Sequence, residues 1–139
     1  MANVYLVSCV SVKLDKKAAA ADFYSSSWFK KARAYTEDHA DSWFILSAKY
    51  GLLDPKALIE PYDKTLNSMP KKERLIWAEE VLYKILSNTT SADNIVFLAG
   101  KRYREFLVRR LNELGYNVET PLANMGIGKQ LSWLSRNMK

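Results

Sequence analysis

The chain has 139 residues, 48% of them hydrophobic, and sets 21 Lys and Arg against 15 Asp and Glu for a formal charge of +6. This length holds one domain with a real core and excludes two comfortable ones, and the hydrophobic share excludes disorder. The positive excess suits phosphate-bearing partners without requiring them, since many basic proteins simply carry solvated charged faces.

The first predicted element is Val4-Tyr5-Leu6-Val7-Ser8-Cys9-Val10, an almost continuous apolar run that suits a strand buried on both faces. A polar, alanine-rich connection follows. Ser25, Ser26 and Ser27 then offer N-caps for a helix over about 28–40, with Trp28, Ala32, Tyr35 and His39 on one stripe. Trp43-Phe44-Ile45-Leu46-Ser47 reads as a second buried strand. Residues 54–69 show no sustained periodicity and are punctuated by Pro55 and Pro61; a loop of that length inside a compact domain is usually functional or mobile.

Pro70 suits the first position of the next helix, with Ser68 or Met69 as its cap and Leu75, Ala78, Leu82, Ile85 and Leu86 as its apolar face. Asn94-Ile95-Val96-Phe97-Leu98-Ala99 is the third strand, broken by Gly100. A helix over about 101–114 turns Tyr103, Phe106, Leu107, Leu111 and Leu114 inward and ends on Gly115 at C′. Tyr116-Asn117-Val118-Glu119 is a shorter fourth strand. The last helix starts near Gly126 or Gly128, with Ile127, Leu131, Leu134 and Met138 as its stripe. The alternation predicts a single three-layer α/β/α domain over 1–139, with a central, mainly parallel, four-stranded sheet. No repeat, low-complexity tract or linker interrupts it.

Cys9 is the one cysteine and His39 the one histidine, so an internal disulfide and a zinc site built from Cys and His are both excluded. A carboxylate-only magnesium site stays open; no metal or other cofactor is expected. Leu6-Val7-Ser8-Cys9 looks superficially like a lipoprotein cleavage box, but the segment before Cys9 is eight residues long and lacks a basic n-region. No uncharged apolar run reaches the ~18 residues that would span a bilayer. The expectation is a cytoplasmic protein with no membrane partner.

In open α/β sheets, ligands bind outside the carboxyl ends of the strands. Those ends carry Ser8, Cys9, Ser11 and Lys13 after the first strand, and Ser47, Lys49, Tyr50 and Gly51 after the second. The long loop adds Asp54, Glu60, Tyr62 and Asp63. Gly100, Lys101, Arg102 and Tyr103 follow the third strand, and Asn124, Gly126, Gly128, Lys129 and Gln130 follow the fourth. Lysines, aromatics, glycines and a few carboxylates on one edge suit an anionic ligand with a flat ring. Each has a plainer reading too: Cys9 as a small packing residue, Lys49-Tyr50-Gly51 as a turn, Asp54-Pro55 as a turn former, and Gly126-Ile127-Gly128-Lys129 as a tight helix start. Lys101, Arg102, Arg104, Arg109 and Arg110 make the third helix strongly basic, either as a solvated face or as a phosphate-binding one.

Leu6-Val7-Ser8-Cys9 with Lys13, Tyr24-x-Ser26-x-x-Phe29, Ile45 through Leu53, Pro61-Tyr62-Asp63 and Gly126-x-Gly128-Lys129 together resemble an uncharacterised domain family of bacteria and their phages. The stretch Leu46-Ser47-Ala48-Lys49-Tyr50-Gly51-Leu52-Leu53, followed by Ile59-x-Pro61-Tyr62, is also similar to the core of the YaaA peroxide-stress family, which is associated with DNA binding. YaaA proteins are larger, so only this central part carries over. The four-stranded layout looks more loosely like the uracil-DNA glycosylase superfamily. The Gly-x-Asp-Pro motif and late catalytic histidine of that group are absent here, which argues against simple uracil excision.

These resemblances imply handling of nucleobases, nucleotides or nucleic acid, with DNA ahead of RNA. Breaking an N-glycosidic bond needs a carboxylate near the sugar and a donor or cation near the base. Asp63 is the first candidate for the carboxylate and Asp54 the second. Lys49 and Lys13 would steady the base or a phosphate, and Tyr50 or Tyr62 would stack on the ring. Ser8, Cys9, Ser47, Gly51, Gly100, Lys101, Gly126, Gly128 and Lys129 complete the expected ligand surface. Lys101, Arg102, Arg104 and Arg109 form the expected nucleic-acid footprint. A non-catalytic DNA- or RNA-binding module and a small-nucleotide sensor are the alternatives to an enzyme.

Overall fold

The computed structural model describes residues 2–8, 16–24, 26–62 and 64–137. Cys9, Ser11, Lys13, Ser25, Asp63 and Met138, all named above, lie outside the described residues. The main sheet contains β1 (Asn3–Ser8), β3 (Ser42–Ser47), β4 (Gly51–Leu53), β6 (Asn94–Leu98) and β7 (Asn117–Glu119), in the order β4-β3-β1-β6-β7. Its neighbours β3–β1, β1–β6 and β6–β7 run parallel, while β4 folds back antiparallel on β3. A separate two-stranded sheet pairs β2 (Ala18–Ala19) with β5 (Leu58–Ile59).

The mainly parallel α/β arrangement is the one expected. It gains a fifth strand because Gly51–Leu53, too short to carry a period, pairs with β3 across a tight turn. Gly51 makes that turn at φ 73°, a left-handed conformation that favours glycine. β1 and β6 lie at the sheet centre, where burial on both faces requires near-continuous apolar runs. Val4 to Ser8 and Asn94 to Leu98 are accordingly buried throughout.

Helices α2 (Ser27–His39) and α5 (Ile127–Arg136) pack together, as do α3 (Lys71–Asn88) and α4 (Lys101–Glu113). Among the three serines offered as caps, Ser26 does the work: its hydroxyl accepts the Phe29 N–H at 3.1 Å. The connection before it holds a short helix, α1 (Ala20–Phe23), whose Phe23 is buried along with Tyr24. α4 ends in a Schellman arrangement, with Tyr116 N–H donating to Leu111 O and Gly115 N–H to Asn112 O, and Gly115 at φ 85° as expected.

Pro70 is itself the cap residue of α3, which begins at Lys71. Leu86, Leu114 and Ile127 are exposed, because the inward stripes run through Trp77, Val81 and Ile85 on α3, Tyr103, Leu107 and Leu111 on α4, and Leu134 on α5. The long segment after β4 is also less irregular than its sequence suggests, since it contains β5 and a short 3-10 turn at Leu66–Ser68. Among the described residues, no helix is long and apolar enough to cross a membrane.

Candidate functional site

β1 and β3 end in hydroxyls that the fold withholds from solvent: Ser8 is buried and Ser47 has no exposure at all. A buried hydroxyl must find partners. Ser47 Oγ accepts the Tyr50 N–H at 3.1 Å and shares a 2.9 Å hydrogen bond with the Tyr62 hydroxyl. The Tyr62 hydroxyl in turn lies 2.6 Å from that of Tyr24. The backbone carbonyl of Ser47 accepts the Trp77 indole N–H from α3 at 2.9 Å. One residue at the end of β3 therefore joins the β3–β4 turn, the long loop and a helix.

Aromatic rings fill the space around this junction. Tyr62 stacks on Phe23 with centroids 6.0 Å apart and planes 5° apart, and meets Tyr50 edge-on at 5.6 Å. The Tyr50 hydroxyl accepts the Glu60 N–H at 3.2 Å, and the Lys49 ammonium stands 5.2 Å from the Tyr50 ring centroid. Tyr50 and Tyr62 are half-buried and Lys49 is exposed; Lys49 and Tyr50 line a groove beside α3.

The loop carrying Tyr62 is fastened at its far end as well. The Tyr103 hydroxyl, from the first turn of α4, reaches Leu66 N and Thr65 Oγ1 at 3.4 Å each, and Tyr103 packs edge-on against Trp77. Arg74 donates to Met69 O at 2.7 Å and lies 3.6 Å from Glu105 on α4. Anchored from β3, α3 and α4, the loop is part of the scaffold.

At the end of β6, Gly100 caps α4 and its N–H donates to Ser8 Oγ at 3.3 Å, joining the end of the central strand to a helix N-terminus. Lys101 and Arg102 are exposed beside it. First-turn N–H groups of a helix lack intrahelical acceptors and favour negative charge nearby. Farther along, Arg104 Nε donates to Ala99 O at 3.3 Å and Arg109 lies over the Phe106 ring. Arg110 is bound to Glu79 and Glu113, which leaves it the least available cation on this helix.

Ser8, Ser47, Lys49, Tyr50, Gly51, Tyr62, Gly100 and Lys101 thus fall along the carboxyl edge of the parallel strands. Asp54 does not. Because β4 runs antiparallel, the chain returns towards the amino end of β3, where Asp54 shares a hollow with Ser42 and Trp43. Its carboxylate accepts the Lys56 N–H at 2.8 Å, closing a turn. Gly126, Gly128 and Lys129 begin α5, which docks on α2 through a 2.8 Å bond from Trp28 Nε1 to Gln130 Oε1, and no described hydrogen bond ties them to Ser47. His39 lies at the opposite end of α2, its Nδ1 2.8 Å from Tyr35 O and its ring stacked on Tyr35. Among the described residues, no three His, Cys, Asp or Glu side chains come together as a metal cluster.

Phe23, Tyr24 and Trp77 were not expected at this site. Tyr24 and Phe29 stand in a shared motif, which was a usable signal. Nothing in the local sequence ties Trp77 to a carbonyl 30 residues earlier.

The model of a family of unknown function, DUF6884, matches residues 4–136, and the chain belongs to that family. The chain is also similar to the uncharacterized protein YfjM of Bacillus subtilis (strain 168). Identity is 32% over 120 residues, covering 84% of this chain and 78% of that protein.

Proposed function

We propose that this member of the DUF6884 family acts on nucleotides or nucleic acid at an N-glycosidic bond, as an N-glycosidase or base-exchange enzyme, with DNA ahead of RNA. The observation that carries the reading is the Ser47–Tyr62 hydrogen bond, which holds Tyr62 edge-on to Tyr50, itself beside the Lys49 ammonium, at the carboxyl end of a parallel strand. A flat base fits against such aromatic faces. A cation and N–H donors beside it stabilise the electron pair that the base takes when its bond to the sugar breaks.

Roles follow from these positions. Lys49 steadies the departing base and Tyr50 or Tyr62 walls its ring. Lys101 and the first turn of α4 receive a phosphate. Asp63, next to Tyr62 in the chain, is the carboxylate for the positive charge developing on the sugar, and Lys13 is the second cation. In hydrolysis, water adds to the sugar carbon as the protonated base leaves; in exchange, an incoming base takes the place of water. A base within duplex DNA would have to be flipped out to reach this site. The similarity of the central motif to YaaA proteins, and of the layout to uracil-DNA glycosylases, supports the same substrate class.

The test is chromatographic detection of released base from nucleosides, nucleotides, DNA and RNA, normal and modified, with a labelled free base added to reveal exchange. Turnover by the wild type that is lost in Asp63→Ala and Lys49→Ala is the expected result. No release and no exchange on any substrate overturns catalysis.

The exposed cations at the start of α4 favour a second reading, a non-catalytic nucleic-acid-binding module. A small-nucleotide sensor differs from it in being stabilised against heat by free nucleotides and not by oligonucleotides.

A further inference from the structure

The β3–β4 turn, the loop before α3 and the outer side of α3 enclose a groove of about 870 Å³. At 3.6 residues per turn, positions 73, 76, 80, 83 and 84 fall within about 100° of one another, so they form one exposed stripe, with the buried Trp77 and Val81 at one side of it and Glu79 at the other also lining the groove. That stripe reads Glu73, Ile76, Glu80, Tyr83, Lys84. Ile76 is 54% exposed and Tyr83 74%, while Trp77, Val81 and Ile85 carry the inward side of the helix. The facing bank contributes Lys49 and Lys64.

Charge narrows what can sit there. Glu79, also at the groove, is paired with Arg110 of α4. Three lysines, Lys49, Lys64 and Lys84, and two glutamates, Glu73 and Glu80, then give the groove charge of both signs. The mixture suits a protein surface that carries both signs itself.

The stripe is also close to symmetric about its middle. Glu73 and Lys84 are centred between residues 78 and 79, and Ile76 and Tyr83 between residues 79 and 80. A two-fold axis across α3 at that point would set Ile76 of one copy on Tyr83 of the other, and Glu73 on Lys84. Self-complementarity of this kind is what an isologous interface requires. Glu80, near the axis, would meet its own counterpart, an unfavourable contact that the Ile76–Tyr83 and Glu73–Lys84 pairs on either side must outweigh. We propose that the exposed stripe of α3 forms the interface of a two-fold dimer of this chain, leaving Lys49 and Tyr50 on the opposite bank to the ligand.

Sedimentation equilibrium of the full chain tests this. The wild type should dimerise reversibly. Tyr83→Asp and Ile76→Asp, both at exposed positions, should raise the dissociation constant by roughly tenfold or more while circular dichroism stays unchanged. Lys84→Glu should weaken the dimer, and adding Glu73→Lys to the same chain should restore it. A chain that remains monomeric up to ~1 mM would overturn the proposal. So would a dimer indifferent to Tyr83→Asp, or one that the paired charge swap fails to rescue. Loss of oligonucleotide binding by a monomeric chain on Tyr83→Asp or Lys84→Glu would assign the groove to nucleic acid instead.

Discussion

The hydroxyls of Ser47 and Tyr62 lie 2.9 Å apart across 15 residues of chain, and this bond fastens the long loop to the end of β3. Ser47 also accepts the Tyr50 N–H through Oγ and the Trp77 indole N–H through its carbonyl. Ser47 is fully buried, so a replacement side chain there brings in no water to take over the lost hydroxyl contacts. Ser47→Ala, which strips the acceptor from Tyr50 N–H, and Trp77→Phe, which strips the donor from the Ser47 carbonyl, should each cost about 1–3 kcal/mol. Urea unfolding measures both. Losses below about 0.5 kcal/mol would mean that other contacts hold the junction.

Gly51 closes the turn between β3 and β4 at φ 73°, and a Cβ placed there would stand 3.4 Å from Val81 Cγ2. That distance is ordinary to slightly tight, so the cost of a side chain comes mainly from the backbone. Gly51→Ala should destabilise by about 1–2 kcal/mol. Gly51→Asn should cost less despite its larger side chain, because asparagine tolerates the left-handed region. Thermal melts of the pair give the order. If asparagine is the worse, crowding against Val81 outweighs strain.

Much of this fold is legible in the sequence for a physical reason. Parallel strands buried on both faces must be continuous apolar runs, and Val4 to Val7, Phe44 to Leu46 and Ile95 to Leu98 are such runs. Ser47 is legible as a site anchor because it follows one of them directly. β4 is not, since three residues carry no period and the Gly51–Leu53 pairing depends on β3. Asp54 was expected at the site on sequence proximity alone, and the antiparallel return of β4 carries it away. The aromatic support from Phe23 and Tyr24 is hidden in an alanine-rich connection. Its burial arises from tertiary contacts with Tyr62, which no local pattern encodes.

Asp93 accepts the N–H groups of Ala2 and Thr90 at 3.0 Å each, tying the start of β1 to the turn before β6. The Thr90 bond, then the Ala2 bond, hold its carboxyl below the ordinary aspartate value. The folded state therefore binds this proton less readily than the unfolded chain. The stabilisation is complete above the unfolded pKa and is lost as pH falls through the folded one. Asp93→Asn should lower the melting temperature at neutral pH, with the gap to wild type closing in acid. A gap that stays constant down to about pH 2 would show that the charge contributes nothing.

The cations of α4 are not equivalent, and this separates binding from stability. Arg110 is held by Glu79 and Glu113, and Arg104 Nε is turned to the Ala99 carbonyl. Lys101 and Arg102 stand exposed where the helix opens on the strand ends, and Arg109 is exposed over Phe106. If α4 receives phosphates, charge reversal at Lys101 or Arg102 should weaken oligonucleotide binding and flatten its salt dependence by about one phosphate contact per residue. Arg109→Glu should act in the same direction, and less strongly if binding centres on the helix start. Arg110→Glu should instead lower stability, by placing like charge beside Glu79 and Glu113, with little change in salt dependence. Binding titrations over a range of salt, paired with melting curves, distinguish the two effects. Equal loss of affinity at positions 102 and 110 would indicate a diffuse electrostatic surface and remove the start of α4 as a phosphate site.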